Sequence, residues 1–176
     1  KLPHVLWTDL PAVDVAPLLA EDAQRLASGD KKMRFGVTRP VDIGLSSAGS
    51  WHELPDGRRV WRVGIHCPDA SSVSFVFDDY RVVEGGQVFV IGSDDLFIGA
   101  FEQASAGGAT SMAVMPVDGD RVIVEYIVPA GHRPGALHIG RVTHGYKPLN
   151  DTDRGFGASG SCNNNVVCPE WNAWDD

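Results

Sequence analysis

Cys162 and Cys168, in "GASGSCNNNVVCPEW", are two of only three cysteines and the residues best suited by type to covalent or metal chemistry. Five residues of a glycine- and asparagine-rich stretch separate them, so a bridge between the two is feasible, and two separate partners elsewhere would fit equally well. A structural zinc site wants two short-spaced ligand pairs, and no second Cys or His pair of that kind occurs. That argues against zinc. The third cysteine, Cys67 in "RRVWRVGIHC", alternates with Trp61, Val63 and Ile65 and reads as a buried apolar residue rather than a nucleophile.

Six histidines, His4, His52, His66, His132, His138 and His144, are scattered along the chain. A hydrolytic triad needs one of them beside an activated Ser or Cys, and the strand-turn-helix motif G-x-S-x-G is missing. The serines of "GASGSCN" have no helix pattern behind them, so catalysis by this chain alone is not expected. The acidic pairs Asp78/Asp79 and Asp94/Asp95 lack the oxygen-rich spacing of a calcium loop and read as solvated turn residues. Glu125 alternates with Ile123 and Ile127 in "RVIVEYIV". Either that face meets a partner or Glu125 is hydrogen-bonded within the sheet, the commoner arrangement. Trp51, Trp61 and Tyr126 are candidates for a sugar-binding aromatic platform, although alternation assigns Trp61 to the core.

The elements that must carry these residues are mostly strands. One helix is expected, in "DVAPLLAEDAQRLASG": Asp14 is a good N-cap, Pro17 is tolerated in the first turn, and Gly29 ends the run. Val15, Leu18, Leu19, Ala23 and Leu26 fall on one face, which predicts an amphipathic flap packed on something larger. From Met33 onward the apolar period is two, interrupted by Gly, Pro and Asp. Strands are expected in "RFGVTRPVDIGL", "RRVWRVGIHC", "SSVSFVFDD", "QVFVIG", "LFIGAF", "TSMAVMPV", "RVIVEYIV" and "ALHIGRV". Asp56-Gly57 and Asp118-Gly119 supply hairpin turns. With no βαβ alternation, the reading is an all-β, antiparallel, jelly-roll-like sandwich with one short N-terminal helix.

Alternation fades after "ALHIGRVTHGYKP", and "LNDTDRGFGASGSCNNN" reads as a linker. The expected organisation is a helical segment over 1–30, a sandwich over 31–148, a linker over 149–156 and a new unit from 157. Net charge is −8, from 23 acidic against 15 basic side chains, which disfavours nucleic acid as partner. No apolar run approaches the roughly 20 residues of a membrane span. "KLPHVLWTDL" has no apolar signal core, so a cytosolic protein and an exported one whose signal is already removed are both compatible with it.

Taken in order, "GSWHELPDGRRVWRVGIHCPDASSVSFVFDDYRVVEGGQVFVIG", "GDRVIVEYIVP", "LHIGRVTHGYKP" and "GASGSCNNNVVCPEWNAW" form a series spanning about residues 49 to 174. This series resembles the N-terminal pro-region, and the first residues of the mature enzyme, of bacterial secreted serine endopeptidases of the lysyl endopeptidase type. The pro-region of that family runs W-x-x-L-x-D-G-x-x-V-W-R, then a G-D-x-V-x-V-E strand, then H-G-Y, and its mature protease opens on G-x-S-G-S-C-N. The resemblance implies that Gly157 is the first residue of the mature enzyme, with cleavage after Phe156. It also implies that Cys162 and Cys168 pair with cysteines of the protease body.

The family's catalytic His, Asp and Ser lie downstream of Asp176, so no triad residue and no cofactor is assigned to this chain. Its implied partner is the trypsin-like catalytic domain of the same precursor, and its implied location secreted or periplasmic. This chain departs from the family at Phe156, where lysine-specific members have Lys. The nearest basic residue is Arg154, and Cys67 stands where the family tends to have Ser.

Overall fold

A computed structural model describes residues 4–30, 33–93 and 96–148. Among them are ten strands, one α-helix and a 3-10 turn at Gln103–Ala106. In chain order these are β1 (Trp7–Asp9), α1 (Val15–Ala27), β2 (Gly36–Gly44), β3 (Ser50–Glu53), β4 (Arg59–His66) and β5 (Ser72–Arg81). They continue with β6 (Gln87–Ile91), β7 (Phe97–Phe101), β8 (Met112–Asp118), β9 (Arg121–Val128) and β10 (Ala136–Gly145). Each of the eight strands read from alternation is present, within a few residues of its predicted span.

The strands form two sheets, one ordered β1-β4-β9-β6-β7 with β3 also on β4, the other ordered β2-β10-β5-β8. The β4-β9-β6-β7 and β2-β10-β5-β8 orders together are those of an eight-stranded jelly roll, in which successive strands alternate between the two sheets except at the β6–β7 hairpin. Pairing is antiparallel except between β1 and β4.

The core lies between the sheets because period-two alternation gives each strand one apolar face. Trp61, Val63 and Ile65 from β4 and Val124 and Tyr126 from β9 meet Phe75 and Phe77 from β5 and Ile139 from β10, all buried. Phe75 and Phe77 pack edge to face at 5.3 Å. Burial of each such side chain contributes about 1.5–3 kcal/mol. The turns follow the chemistry expected of them: Gly57 and Gly119 hold φ of 80° and 96°, and Asp56 Oδ1 accepts the Arg58 N–H at 3.2 Å.

Two strands escape alternation. In β1, three residues long, Trp7 lays its indole on Gly64 of β4, and any Cβ at Gly64 would run into that ring. The Arg121 guanidinium lies 5.6 Å from the indole centroid. The short β3 pairs with β4 through Trp51 opposite Trp61.

The helix forms where predicted, with Asp14 Oδ1 accepting the Ala16 N–H at 3.2 Å. Its packing is not as predicted. None of its residues is buried; Leu18, Asp22 and Arg25 turn towards the sandwich, while Leu19, Ala23 and Leu26 are exposed. The apolar stripe is thus split: Val15 and Leu18 are half-buried, Leu19, Ala23 and Leu26 are exposed, and the hydrogen bonds that hold the helix are polar.

Candidate functional site

The polar contact that turns the helix lies where the described chain leaves the sandwich. Strand β10 is internal to its sheet, between β2 and β5, and the two residues after it, Tyr146 and Lys147, are held against the start of β2. Both of their N–H groups donate to the Phe35 carbonyl, at 2.9 and 3.3 Å. From this backbone clamp the two side chains reach α1. The Tyr146 hydroxyl donates to Asp22 Oδ2 at 2.7 Å, and Lys147 Nζ approaches the same oxygen at 2.5 Å.

Arg34 completes the junction from the other side. Its Nε donates to Asp22 Oδ1 at 3.1 Å and to the Tyr146 oxygen at 2.8 Å. Its Nη2 donates to the Leu18 carbonyl at 3.2 Å and to Glu21 Oε2 at 2.8 Å. One carboxylate therefore collects a lysine, a tyrosine and an arginine, and joins α1, β2 and the end of β10 at a single point. The hydrogen bonds from Lys147 and then Tyr146 hold the Asp22 carboxyl down at about 2, against the opposing effect of burial. Burial, and then the bond to Asp22, push the Tyr146 hydroxyl up.

Lys147, Tyr146 and Arg34 are all engaged as donors to Asp22, so chemically the arrangement is a latch. Sequence reasoning missed it because its members are far apart, at positions 22, 34, 146 and 147, and the H-G-Y motif that holds Tyr146 says nothing of Asp22 or Arg34. The available signal was "THGYKP", whose Tyr-Lys pair follows a strand that ends in glycine.

The other sequence candidates do not converge. Phe156, Gly157, Cys162, Cys168, Asp94 and Asp95 lie outside the described residues. Cys67 is buried with a free thiol that burial pushes up to about 11. Glu125 meets Arg62 of the neighbouring strand, Oε2 to Nε at 3.0 Å, which is the within-sheet arrangement. Asp78 and Asp79 are in β5 rather than in a turn: a strand continues through them because Asp79 pairs with Arg81 and Asp78 with His138.

The three rings considered for a platform make none. Trp61 and Tyr126 are buried between the sheets, and Trp51 packs edge-on to Tyr126 at 6.3 Å while its Nε1–H donates to the Leu45 carbonyl.

Two histidines bridge carboxylates. His138 contacts Asp78 at 2.6 Å and Asp42 at 2.9 Å, and those hydrogen bonds, Asp78 first, raise its pKa. His66 contacts Asp9 at 2.7 Å and Asp120 at 3.3 Å, tying β1 to the β8–β9 turn. His52 Nε2 lies 2.9 Å from Ser50 Oγ on β3, but no carboxylate orients its ring among the described residues, so the pair lacks the third member of a triad. Among the described residues no group of three or more His, Cys, Asp or Glu could hold a metal ion, and no helix is long and apolar enough to cross a membrane.

No protein-family model matches this chain, and no solved structure matches it.

Proposed function

We propose that the sandwich is the pro-domain of a secreted trypsin-like serine endopeptidase. It assists the folding of the catalytic domain that follows it and keeps that domain latent until the chain is cut between Phe156 and Gly157. The observation that carries this reading is the seam. The jelly roll is complete at β10, the residues just after it are latched to α1, and the series resembling the start of a mature protease begins at Gly157, a short linker further on.

The physical case for assistance is that double-β proteases are rich in non-local pairings, fold slowly and expose unpaired strand edges while they do. A preceding domain that closes its own sheets first offers a surface on which the later one assembles. Latency lasts while the Phe156–Gly157 bond is intact, and its cleavage frees a new α-amino group on Gly157. Phe156, where lysine-specific members of the family have Lys, points to a processing enzyme that cuts after an aromatic residue rather than to self-cleavage after lysine.

The rival reading, a glycan-binding module attached to an enzyme, rested on Trp51, Trp61 and Tyr126, and the burial of two of those rings removes that surface. The seam is tested by N-terminal sequencing of the secreted enzyme. The expected first residue is Gly157; a start inside the sandwich, before residue 148, would sink the assignment.

A further inference from the structure

Of the histidines, all of which lie among the described residues, only His144 is buried, at 3% exposed. It follows the core residue Val142 by two positions on β10, so its ring lies on the inner face. In register it stands between Val37 of β2 and the fully buried Val73 of β5. Its Nε2 finds no hydrogen-bond partner, and Ser72 Oγ, on the residue paired with Gly145, is also buried without one. A neutral imidazole bears this at a cost. An imidazolium is far worse placed, since its Nε2–H becomes a charged donor with no acceptor.

The groups around this end of the sandwich do not offset such a charge. From β2 comes Arg39, whose guanidinium donates to the Pro11 and Ala12 carbonyls at 2.5 and 3.2 Å. The neighbour from β5 is the apolar Val73, the turn 67–71 brings Cys67 and Asp69, and the β8–β9 turn brings Asp120. Burial first, and then Arg39, lower the His144 pKa against a raising effect of Asp69. Arg39 also acts on Cys67, whose thiol burial pushes up to about 11. A ring that is neutral when enclosed and takes up a proton near 6.5 when exposed makes acid favour any opening that brings it to water.

The turn 67–71 is the part free to open. Its link to β10 is made at the residue next to His144: Ser71 N–H and Oγ both donate to the Gly145 carbonyl, at 2.8 and 3.0 Å. Two further bonds tie it to the β8–β9 turn, from Cys67 N–H to the Asp120 carbonyl and from Gly119 N–H to the Ser71 carbonyl. Asp69 in the turn holds φ of 64°, the left-handed region that few residues other than glycine adopt. On its other side β10 is fixed by β2 and by the clamp at Phe35.

We propose that the turn 67–71 is an acid-operated gate over Cys67: protonation of His144 lifts the turn from Gly145, brings the ring to solvent and uncovers the thiol, while the strands on either side stay paired. The two events are coupled because the residue after His144 is the one to which the turn is bonded, and Cys67 opens that turn. Cys67 is thereby enclosed near neutral pH and open to thiol reagents in mild acid. The gate stands apart from the pro-domain reading and holds or fails without it.

The test follows modification of Cys67 by methyl methanethiosulfonate in the chain of residues 1–176 at pH 7.5 and 5.0, with Cys67 resolved from Cys162 and Cys168 by peptide mass spectrometry. Each rate is divided into that of the urea-unfolded chain at the same pH, which cancels ionisation of the thiol. The protection of Cys67 so obtained should fall about thirtyfold between the two pH values, the limit for uptake of one proton at an ordinary histidine pKa of 6.5. Amide hydrogen exchange should leave β4 and β9 protected throughout. His144→Leu should remove the pH dependence, and so should the uncharged His144→Gln. Protection that does not fall in the unmodified chain overturns the gate, as does a fall of the same size in either variant. Loss of protection in β4 and β9 in step with Cys67 also overturns it, because the whole domain is then opening. Where neither variant folds, NMR of the His144 ring in the unmodified chain decides: the ring should stay neutral in the closed form at pH 5.0, and a ring protonated with the turn closed rejects the proposal.

Discussion

Phe77 in β5 and Asp22 in α1 are both largely withdrawn from solvent, and for opposite reasons. Phe77 is surrounded by carbon: it is fully buried, edge to face with Phe75 and tilted against Tyr80 at 5.3 Å, so its contribution is non-directional and indifferent to charge. Asp22 is surrounded by donors, and its contribution depends on its own charge and on three partners supplied from distant points in the chain. The difference separates two tasks. Apolar burial closes the sandwich by itself, whereas the latch orients the helix through directed bonds and leaves Leu19, Ala23 and Leu26 exposed.

The comparison is broken most severely by substitution in the interior. Phe77→Ala should cost about 3–5 kcal/mol, a large fraction of the total stability of a domain, measured by urea denaturation of 1–176. A cost under about 1 kcal/mol would mean that the sheets can collapse on the cavity and that the interior is not the tight body described.

Asp22→Ala should cost less overall, about 1–3 kcal/mol, and should be concentrated in α1. Hydrogen exchange should show loss of protection at residues 15–27 with β4, β5 and β9 unaffected; loss spread evenly over the sheets would deny the latch its local role. The same separation can be driven by acid. Because the folded Asp22 carboxyl is held at about 2, below its ordinary 3.8, the stability it lends is present above its ordinary value and is lost as pH falls towards 2. Helix signals should therefore change in that window before the sandwich unfolds, as followed residue by residue by NMR.

A smaller effect is expected at His138, whose side chain is about a third exposed, so solvent screens its two carboxylates. Its pKa is raised, so its stabilisation is full below the ordinary histidine value of 6.5 and fades as pH rises through the higher folded value. His138→Gln should cost less than about 1 kcal/mol at pH 6 and progressively less above it. His144 works in the other direction: burial lowers its pKa, so its effect on stability is felt as pH falls below 6.5. Thermal midpoints of the variant and parent between pH 5 and 9 separate the two.

The smallest effect is predicted for Leu19→Glu in 1–176. An exposed position away from special backbone should change stability by no more than about 0.5 kcal/mol, although the residue is apolar and on the helix's hydrophobic side.

Much of the sandwich was legible because alternation reports burial on one face directly. Trp61, Val63 and Ile65 could be assigned to the core from period alone, whereas period leaves Glu125 between a partner surface and a bond within the sheet, and its contact with Arg62 decides it. Strand β1 could not, since three residues carry no period and its place depends on the bare surface of Gly64. The helix was legible as a helix but only partly in its orientation: Val15 and Leu18 of the predicted stripe are half-buried, Leu19, Ala23 and Leu26 are exposed, and the bonds between Arg34 and Asp22 add a polar contact that spacing does not report. Asp78 looked like a turn residue because its partner, His138, lies 60 positions away on β10. In each of these cases the missing information was a pairing between residues remote in sequence, which local spacing does not encode. The residues that carry the resemblance at the seam, Gly157, Cys162 and Cys168, lie outside the described structure, so their reading rests on the sequence.

The central proposal is that this sandwich enables a catalytic domain beginning at Gly157 to fold and holds it latent. Producing the precursor with and without residues 1–156, and following the yield of soluble catalytic domain and its peptidase activity over time, tests it most directly. The claim predicts that the full precursor yields a soluble, inactive product that becomes active on cleavage, while the shortened form yields little active enzyme. A shortened form that folds in equal yield and is active at once contradicts it.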